Sequence, residues 1–166
     1  MTSRAVTNFM KQQGFAPEAP ERAALRFRGL QFQPTIVACV MLVAILTQSP
    51  AIFLLVSAVL WLNVLVPAAN PFENVYNRLI ARRRGRPPLT KAPGPRRFAQ
   101  GMAATFMLAT GLSLLQRWTV AAYAFEGLIG VAFAALLFGK FCLGAYVYHL
   151  LRGKVAFANG TCPWGE

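Results

Sequence analysis

The 166-residue chain predicts an all-α integral membrane protein, a four-helix bundle made of two tandem helical hairpins. Three observations predict it. The composition is 56% hydrophobic, with 13 Phe and only five acidic residues. The net charge of +12 lies between the apolar runs and hardly within them. The chain also repeats its landmarks: Arg26-Phe27 and Arg97-Phe98 open two segments that close at Val75-Tyr76 and Val147-Tyr148, offset by 71 residues at the start and 72 at the end. An internal repeat in so apolar a chain reads as duplicated membrane hairpins.

Residues 1–25 form a polar cytoplasmic arm with prolines, and residues 6–10 allow a short surface helix at most. The charges at Lys11, Glu18, Glu21 and Arg22 exclude the apolar core of a signal peptide. The first hairpin repeat takes residues 26–84. Its spans cover about residues 30–47 and 51–68, both uncharged, around a Gln48-Ser49-Pro50 turn. At 1.5 Å per residue, each run of about 18 residues just crosses ~30 Å of hydrocarbon. Asn70-Pro71 breaks the second run. Residues 71–84 then place Phe72, Val75, Tyr76, Leu79 and Ile80 at helical spacing opposite Asn74, Asn77 and Arg78, which predicts an interfacial amphipathic helix.

Residues 85–96 are a basic, proline-rich cytoplasmic linker. The second repeat takes residues 97–152, with spans at about 98–116 and 119–138 and an extension at 141–151 that matches residues 72–80. Residues 153–166 are a cytoplasmic tail. The N-terminal 33 residues carry five Lys/Arg against two Glu, and residues 71–98 carry eight against one, whereas the two hairpin turns hold a single Arg117. The positive-inside rule then places both termini and the central loop in the cytoplasm. A multi-pass protein of the cytoplasmic (inner) membrane is the expected localisation.

The basic residues Arg78, Arg82, Arg83, Arg84, Arg86, Lys91, Arg96 and Arg97 are the expected contact with anionic lipid or an acidic partner surface. Cationic loops beside apolar spans account for the charge without nucleic acid. Among intramembrane polar groups, Glu126 lies about five residues into the fourth span and reaches the outer interface or pairs with Arg117. Lys140 extends its stem to the headgroups, and Asn63 is a candidate interhelical hydrogen bonder. His149, the single histidine, reads as a surface residue beside Arg152 and Lys154. Cys39 reads as packing. Cys142 and Cys162 are thiol candidates, with no C-x-x-C and no zinc spacing, so no metal and no cofactor is expected. Small residues at Gly127, Gly130, Ala134, Ala135, Gly139 and Gly144 suit close helix approach.

Pro95-Arg96-Arg97-Phe98-Ala99-Gln100 and Phe141-Cys142-Leu143-Gly144, with the doubled hairpin and Asn70-Pro71-Phe72, resemble a family of small bacterial integral membrane proteins, domain-of-unknown-function family 4395, over roughly residues 24–152. The resemblance implies a four-helix membrane protein without an established activity. The family's C-terminal motif often reads Phe-Cys-x-Gly-Cys, beside thioredoxin-like and sulfurtransferase neighbours, which implies membrane-associated thiol or sulfur handling. Here Ala145 stands where the second cysteine would be. A dithiol cycle needs two sulfurs, so Cys142 could hold only a persulfide or a mixed disulfide unless Cys162 reaches it.

The leading expectation is a non-catalytic accessory or scaffold subunit that packs against other membrane proteins of a larger complex and against membrane lipids. The alternatives are a thiol or sulfur-handling protein using Cys142, with thioredoxin-like or sulfurtransferase partners, and a small transporter. The last would need facing polar groups at mid-bilayer.

Overall fold

The computed structural model describes residues 4–162, and among them every regular element is helical. The elements are α1 (Arg4–Gln12), α2 (Pro20–Leu30), α3 (Phe32–Thr47), α4 (Pro50–Leu65), α5 (Pro71–Val75, continued as a π-helix over Tyr76–Ala81), α6 (Gly94–Leu115), α7 (Thr119–Leu137), α8 (Leu143–Leu151) and α9 (Val155–Gly160), with a 3-10 turn at Pro67–Ala69. Three helical stretches are long and apolar enough to cross a membrane: Glu21–Thr47, which joins α2 to α3, Gly94–Leu115, and Thr119–Leu137. Pro50–Leu65 is apolar but shorter. The chain reads as a membrane protein on this ground.

The surface makes the same argument from packing. Leu46, Leu55, Leu65, Val120, Val131 and Phe138 are exposed on the bundle's flanks, Phe138 to 85%. Meanwhile Gln33, Ser57, Asn63, Gln100, Thr110, Ser113 and Glu126 are buried. A chain folding in water hides its large apolar side chains and keeps its amides wet. The reverse arrangement suits a hydrocarbon solvent, where interhelical polar contacts lie inside.

The core of the bundle gathers Val37, Met41, Phe53, Leu60, Met107 and Ile129 from α3, α4, α6 and α7. α6 is the central helix and packs along α4, α7 and α8. At one end, Gln48 and Arg117 take left-handed backbone conformations that close the α3–α4 and α6–α7 turns. At the other end lie α1, α5, α8 and the segment between α5 and α6.

The N-terminal arm packs on the helices: Val6, Phe9 and Met10 of α1 lie with Phe15, Leu30, Tyr76 and Leu89 in a second core. The apolar residues of α1 recur on one face, which gives that short helix something to bury. The basic linker is held rather than loose. The Asn77 amide accepts from Leu89 N (2.7 Å) and donates to Leu89 O (3.0 Å), and Leu89 and Ala92 are buried. The helix after it begins at Gly94, with Pro95 in its first turn, where a missing N–H costs nothing. Finally, Phe32, not Phe27, packs on Tyr76 in the way Phe98 packs on Tyr148. Both centroid distances are 5.6 Å, at 56° and 57°. Phe27 meets Phe9 edge-on instead.

Candidate functional site

Cys142 is the residue just before α8, in extended backbone (φ −97°, ψ 98°) at that helix's N-terminus. It follows Asn70 by 72 residues, and Asn70 is the cap of α5. Asn70 Oδ1 accepts from Phe72 N (3.0 Å) and Glu73 N (3.4 Å), the usual way a short polar side chain satisfies a helix start. At Cys142 a sulfur occupies the same kind of position. It makes no capping hydrogen bond, but the N–H groups of Ala145 and Gly144 face it.

The surroundings of that sulfur come from distant parts of the chain. Cys142 N donates to Gln12 Oε1 at 2.9 Å, which ties the α8 start to α1. Arg96 is only 5% exposed. Its Nη1 donates to Gln13 Oε1 (3.1 Å) and its Nη2 to Leu30 O (3.5 Å), while its Nε makes no hydrogen bond. Gln100 Nε2 donates to Gln33 Oε1 at 3.0 Å, and Gln100 Oε1 has no partner. These five side chains, Gln13, Gln33, Arg96, Gln100 and Cys142, line one cavity of about 100 Å³. Its remaining walls are apolar, from Val37 on α3, Ala103 on α6 and Phe133 and Leu136 on α7.

The electrostatics of the thiol are a contest. Burial pushes the Cys142 thiol up, and this outweighs the backbone N–H of Ala145, the Arg96 charge, the N–H of Gly144 and the Gln13 side chain, all of which favour the anion. The resting group is therefore a protonated thiol, surrounded by donors that stabilise negative charge once its proton leaves. Glu73, also buried, has its carboxyl pushed up by burial against the pull of Arg96 and Asn70. Its Oε1 makes no hydrogen bond.

Close packing holds the sulfur in place. A Cβ at Gly144 would stand 2.6 Å from Cα and Cβ of Ala99, so α8 abuts α6 at a point where only glycine fits. His149, expected on the surface, is buried. Its Nε2 lies 2.9 Å from Gln12 O, and because a carbonyl only accepts, Nε2 carries the proton. Phe157 of α9 packs against the ring at 4.7 Å.

The other candidate residues scatter. Arg96 does not belong to the basic surface, since the first turn of α6 buries it against α1 and the end of α2. Arg97 donates through Nε (3.2 Å) and Nη2 (2.6 Å) to Val64 O, one of the last carbonyls of α4. Arg78, Arg82, Arg83, Arg84 and Lys91 are exposed, and Arg86 is half-buried. Glu126 does not meet Arg117. Gln48 Nε2 donates to its two oxygens at 3.2 and 3.4 Å. Asn63 is 1% exposed, and neither its Oδ1 nor its Nδ2 finds a partner. Lys140 has a left-handed backbone, with its Nζ 5.9 Å from the Phe27 ring centre. Cys39 faces outward, contrary to the packing role expected for it, and Cys162 is half-buried and far along the chain from the cavity walls. Among the described residues no group of His, Cys, Asp and Glu is placed to hold a metal.

Sequence reading passed over Gln12, Gln13, Gln33 and Gln100. Two signals were present. Gln33 and Gln100 sit inside apolar runs, where a lone amide must find a partner, and Gln12-Gln13 directly follows the buried Phe9-Met10 pair.

No curated protein and no solved structure matches the chain. The family profile described as a domain of unknown function, DUF4395, matches residues 27–153, which takes in α6, α8 and every lining residue of the Arg96–Cys142 cavity but Gln13. With the match running over most of its length, the chain belongs to the DUF4395 family.

Proposed function

We propose that the protein is a membrane-embedded thiol protein in which Cys142 accepts and passes on a single sulfur atom. The observation that carries this reading is the placement of one buried cysteine at the N-terminus of α8, in a cavity shared with the buried Arg96 guanidinium. A single-sulfur site needs no second cysteine. The Cys142 sulfur attacks the outer sulfur of a donor persulfide R–S–SH. The donor's S–S bond breaks, a new S–S bond forms on Cys142, and the proton lost by Cys142 goes to the departing R–S⁻. A persulfide Cys142–S–SH and a thiol R–SH result, with no net oxidation. The α8 amides and Arg96 stabilise the anion that forms in between. High burial keeps the thiol protonated otherwise, which limits side reactions with oxidants.

The supporting frame is a bundle of four spans in two tandem hairpins, α2–α3 with α4 and α6 with α7, each followed by a short cytoplasmic helix that starts at Asn70 or at Cys142. The 72-residue spacing that relates Asn70 to Cys142 also relates Val75-Tyr76 to Val147-Tyr148, and this shared offset supports the tandem arrangement. The excess of Lys/Arg at the α1, α5 and α8 end supports placing that end in the cytoplasm.

The test is direct. Purified full-length protein is treated with a small organic persulfide, and its tryptic peptides are weighed. The expected result is one added sulfur on the Cys142 peptide, discharged by a thiol and absent in Cys142→Ser. No added sulfur on wild-type Cys142 under conditions that load a free cysteine peptide would remove the reading.

A second reading, the accessory subunit, is favoured by one observation. A Cβ added at Gly127 or Gly130 of α7 would meet nothing within 4 Å among the described residues, so this side of the helix has open space. An open small-residue face suits a neighbouring transmembrane helix. Gly127→Leu should then reduce co-purification with that neighbour in mild detergent, and unchanged co-purification would dismiss the face as a seam.

A further inference from the structure

The cavity that holds Cys142 has two kinds of wall. Its polar groups, Gln13, Gln33, Arg96, Gln100 and Cys142, come from the chain segments at its α8 end, and everything else is apolar. Pro34 on α3 and Ala132 and Leu136 on α7 line the cavity and are only half-buried, as are Ala99 and Ala103 on α6 and Leu143 and Gly144 by α8. Because α8 closes on α6 at the Gly144–Ala99 contact, the mouth is assigned to the gap between α3 and α7. An apolar cavity of about 150 Å³ accommodates benzene. The ~100 Å³ here takes a small head and the first carbons of a chain, whose remainder leaves through the mouth.

The polar end has an unmet demand. Arg96 is 5% exposed, and its Nε makes no hydrogen bond. Among the described residues the one ion pair within 4.0 Å joins Arg26 to Glu18, so no described carboxylate touches the Arg96 guanidinium. Glu73 acts on Arg96 only across a longer distance. A buried cation without a contacting counter-charge is costly. A carboxylate seated on the guanidinium would offset that cost with charge-assisted hydrogen bonds.

We infer that this cavity binds a single-chain carboxylate amphiphile, a free fatty acid drawn from the bilayer, with its carboxylate on Arg96 and its first methylenes along Val37, Ala103 and Phe133. The site rests on Arg96 and the apolar walls and does not require Cys142 to react. A phospholipid is the poorer occupant, because a phosphodiester with its glycerol exceeds the cavity.

The experiment uses the full chain in nanodiscs of neutral phosphatidylcholine and a palmitic acid analogue carrying a photoactivatable diazirine near its head. After irradiation, labelled peptides are mapped by mass. Labels are expected on α3 and α7 around Val37 and Phe133. Excess palmitate should suppress them at least about tenfold more effectively than hexadecanol, which has the same chain without the charge, or phosphatidylglycerol. Ala132→Phe, which fills the mouth while leaving the polar end intact, and Arg96→Gln should each reduce labelling by about tenfold. If Arg96→Gln fails to fold, Ala132→Phe and the hexadecanol comparison decide alone. Competition by hexadecanol equal to that by palmitate, labelling untouched by Ala132→Phe, or labels spread over Leu46, Leu55 and Val120 would overturn the inference. Labelling that survives while wild-type Cys142 takes up no sulfur retires the sulfur reading alone, and sulfur uptake without specific labelling retires the fatty-acid site alone.

Discussion

A methyl group added at Gly144 would stand 2.6 Å from both Cα and Cβ of Ala99 on the neighbouring helix α6. Carbon atoms rest about 3.5–4.0 Å apart, so in Gly144→Ala the start of α8 must withdraw by about 1 Å. The obstacle is partly backbone, and no rotamer change relieves it. Overpacking of this kind costs about 1–3 kcal/mol. For a chain of this size each kcal/mol shifts the midpoint by about 2–4 °C, which gives a fall of roughly 2–12 °C. The same withdrawal stretches the bond from Cys142 N to Gln12 Oε1, now 2.9 Å, and opens the sulfur's surroundings. The assay is a thermal scan in detergent with a thiol-reactive fluorophore, together with the alkylation rate of Cys142 at 25 °C in a Cys39→Ser, Cys162→Ser background. Gly144→Ala should melt lower and alkylate faster. Gly127→Ala, where the new methyl meets nothing within 4 Å, should stay within about 0.5 kcal/mol of its parent. Equal midpoints and equal alkylation rates for Gly144→Ala and its parent would refute the claim that the α6–α8 contact holds Cys142 in place.

Three further outcomes follow from the buried polar groups. Asn63→Leu removes two buried amide atoms that have no partners and should raise the detergent midpoint, by an amount corresponding to about 1–3 kcal/mol; a clear drop would show that Asn63 is bonded after all. Gln48→Leu takes the hydrogen-bond donor away from the buried Glu126 and should destabilise by about 1–3 kcal/mol, with much of the loss recovered in Gln48→Leu/Glu126→Leu, as a double-mutant cycle in thermal scans would measure. Because burial pushes the Cys142 thiol up, its alkylation rate should climb at higher pH than that of a cysteine peptide. The linked stability has a definite sign: a group whose folded pKa lies above its unfolded one supports the fold fully below the unfolded value, and that support is lost as pH rises through the folded value. An alkylation profile coinciding with that of the peptide would contradict the assigned burial.

Features set by local physics were legible in the sequence, and features set by tertiary contacts were not. The apolar runs and the Asn70-Pro71 break announced the long helices and α5 because hydrocarbon length and proline sterics act locally. The charge-poor turns at Gln48 and Arg117 were legible for the same reason. Arg96 was not: it sits in a run of arginines, and only the entry of α1 beneath α6 turns it inward while Arg97 beside it reaches the end of α4. His149 was misplaced likewise, since the cover supplied by Gln12 and Phe157 comes from 137 residues upstream and from α9. Glu126 found Gln48 and not Arg117, because the two turns lie side by side at one end of the bundle, a tertiary fact. Cys142 was visible as a motif residue. Its role as the counterpart of a helix cap became clear only once Asn70 was seen capping α5.

The central claim is that Cys142 faces an apolar cavity whose mouth opens between α3 and α7, and not the aqueous phase. It is tested most directly by comparing two maleimides of similar size, one lipid-soluble and one sulfonated, on a Cys39→Ser protein in nanodiscs whose two faces are both open to buffer. The account predicts that the lipid-soluble reagent modifies Cys142 at least about tenfold faster than the sulfonated one, after each rate is normalised to Cys162 in the same sample. Equal normalised rates, or faster attack by the sulfonated reagent, would contradict it.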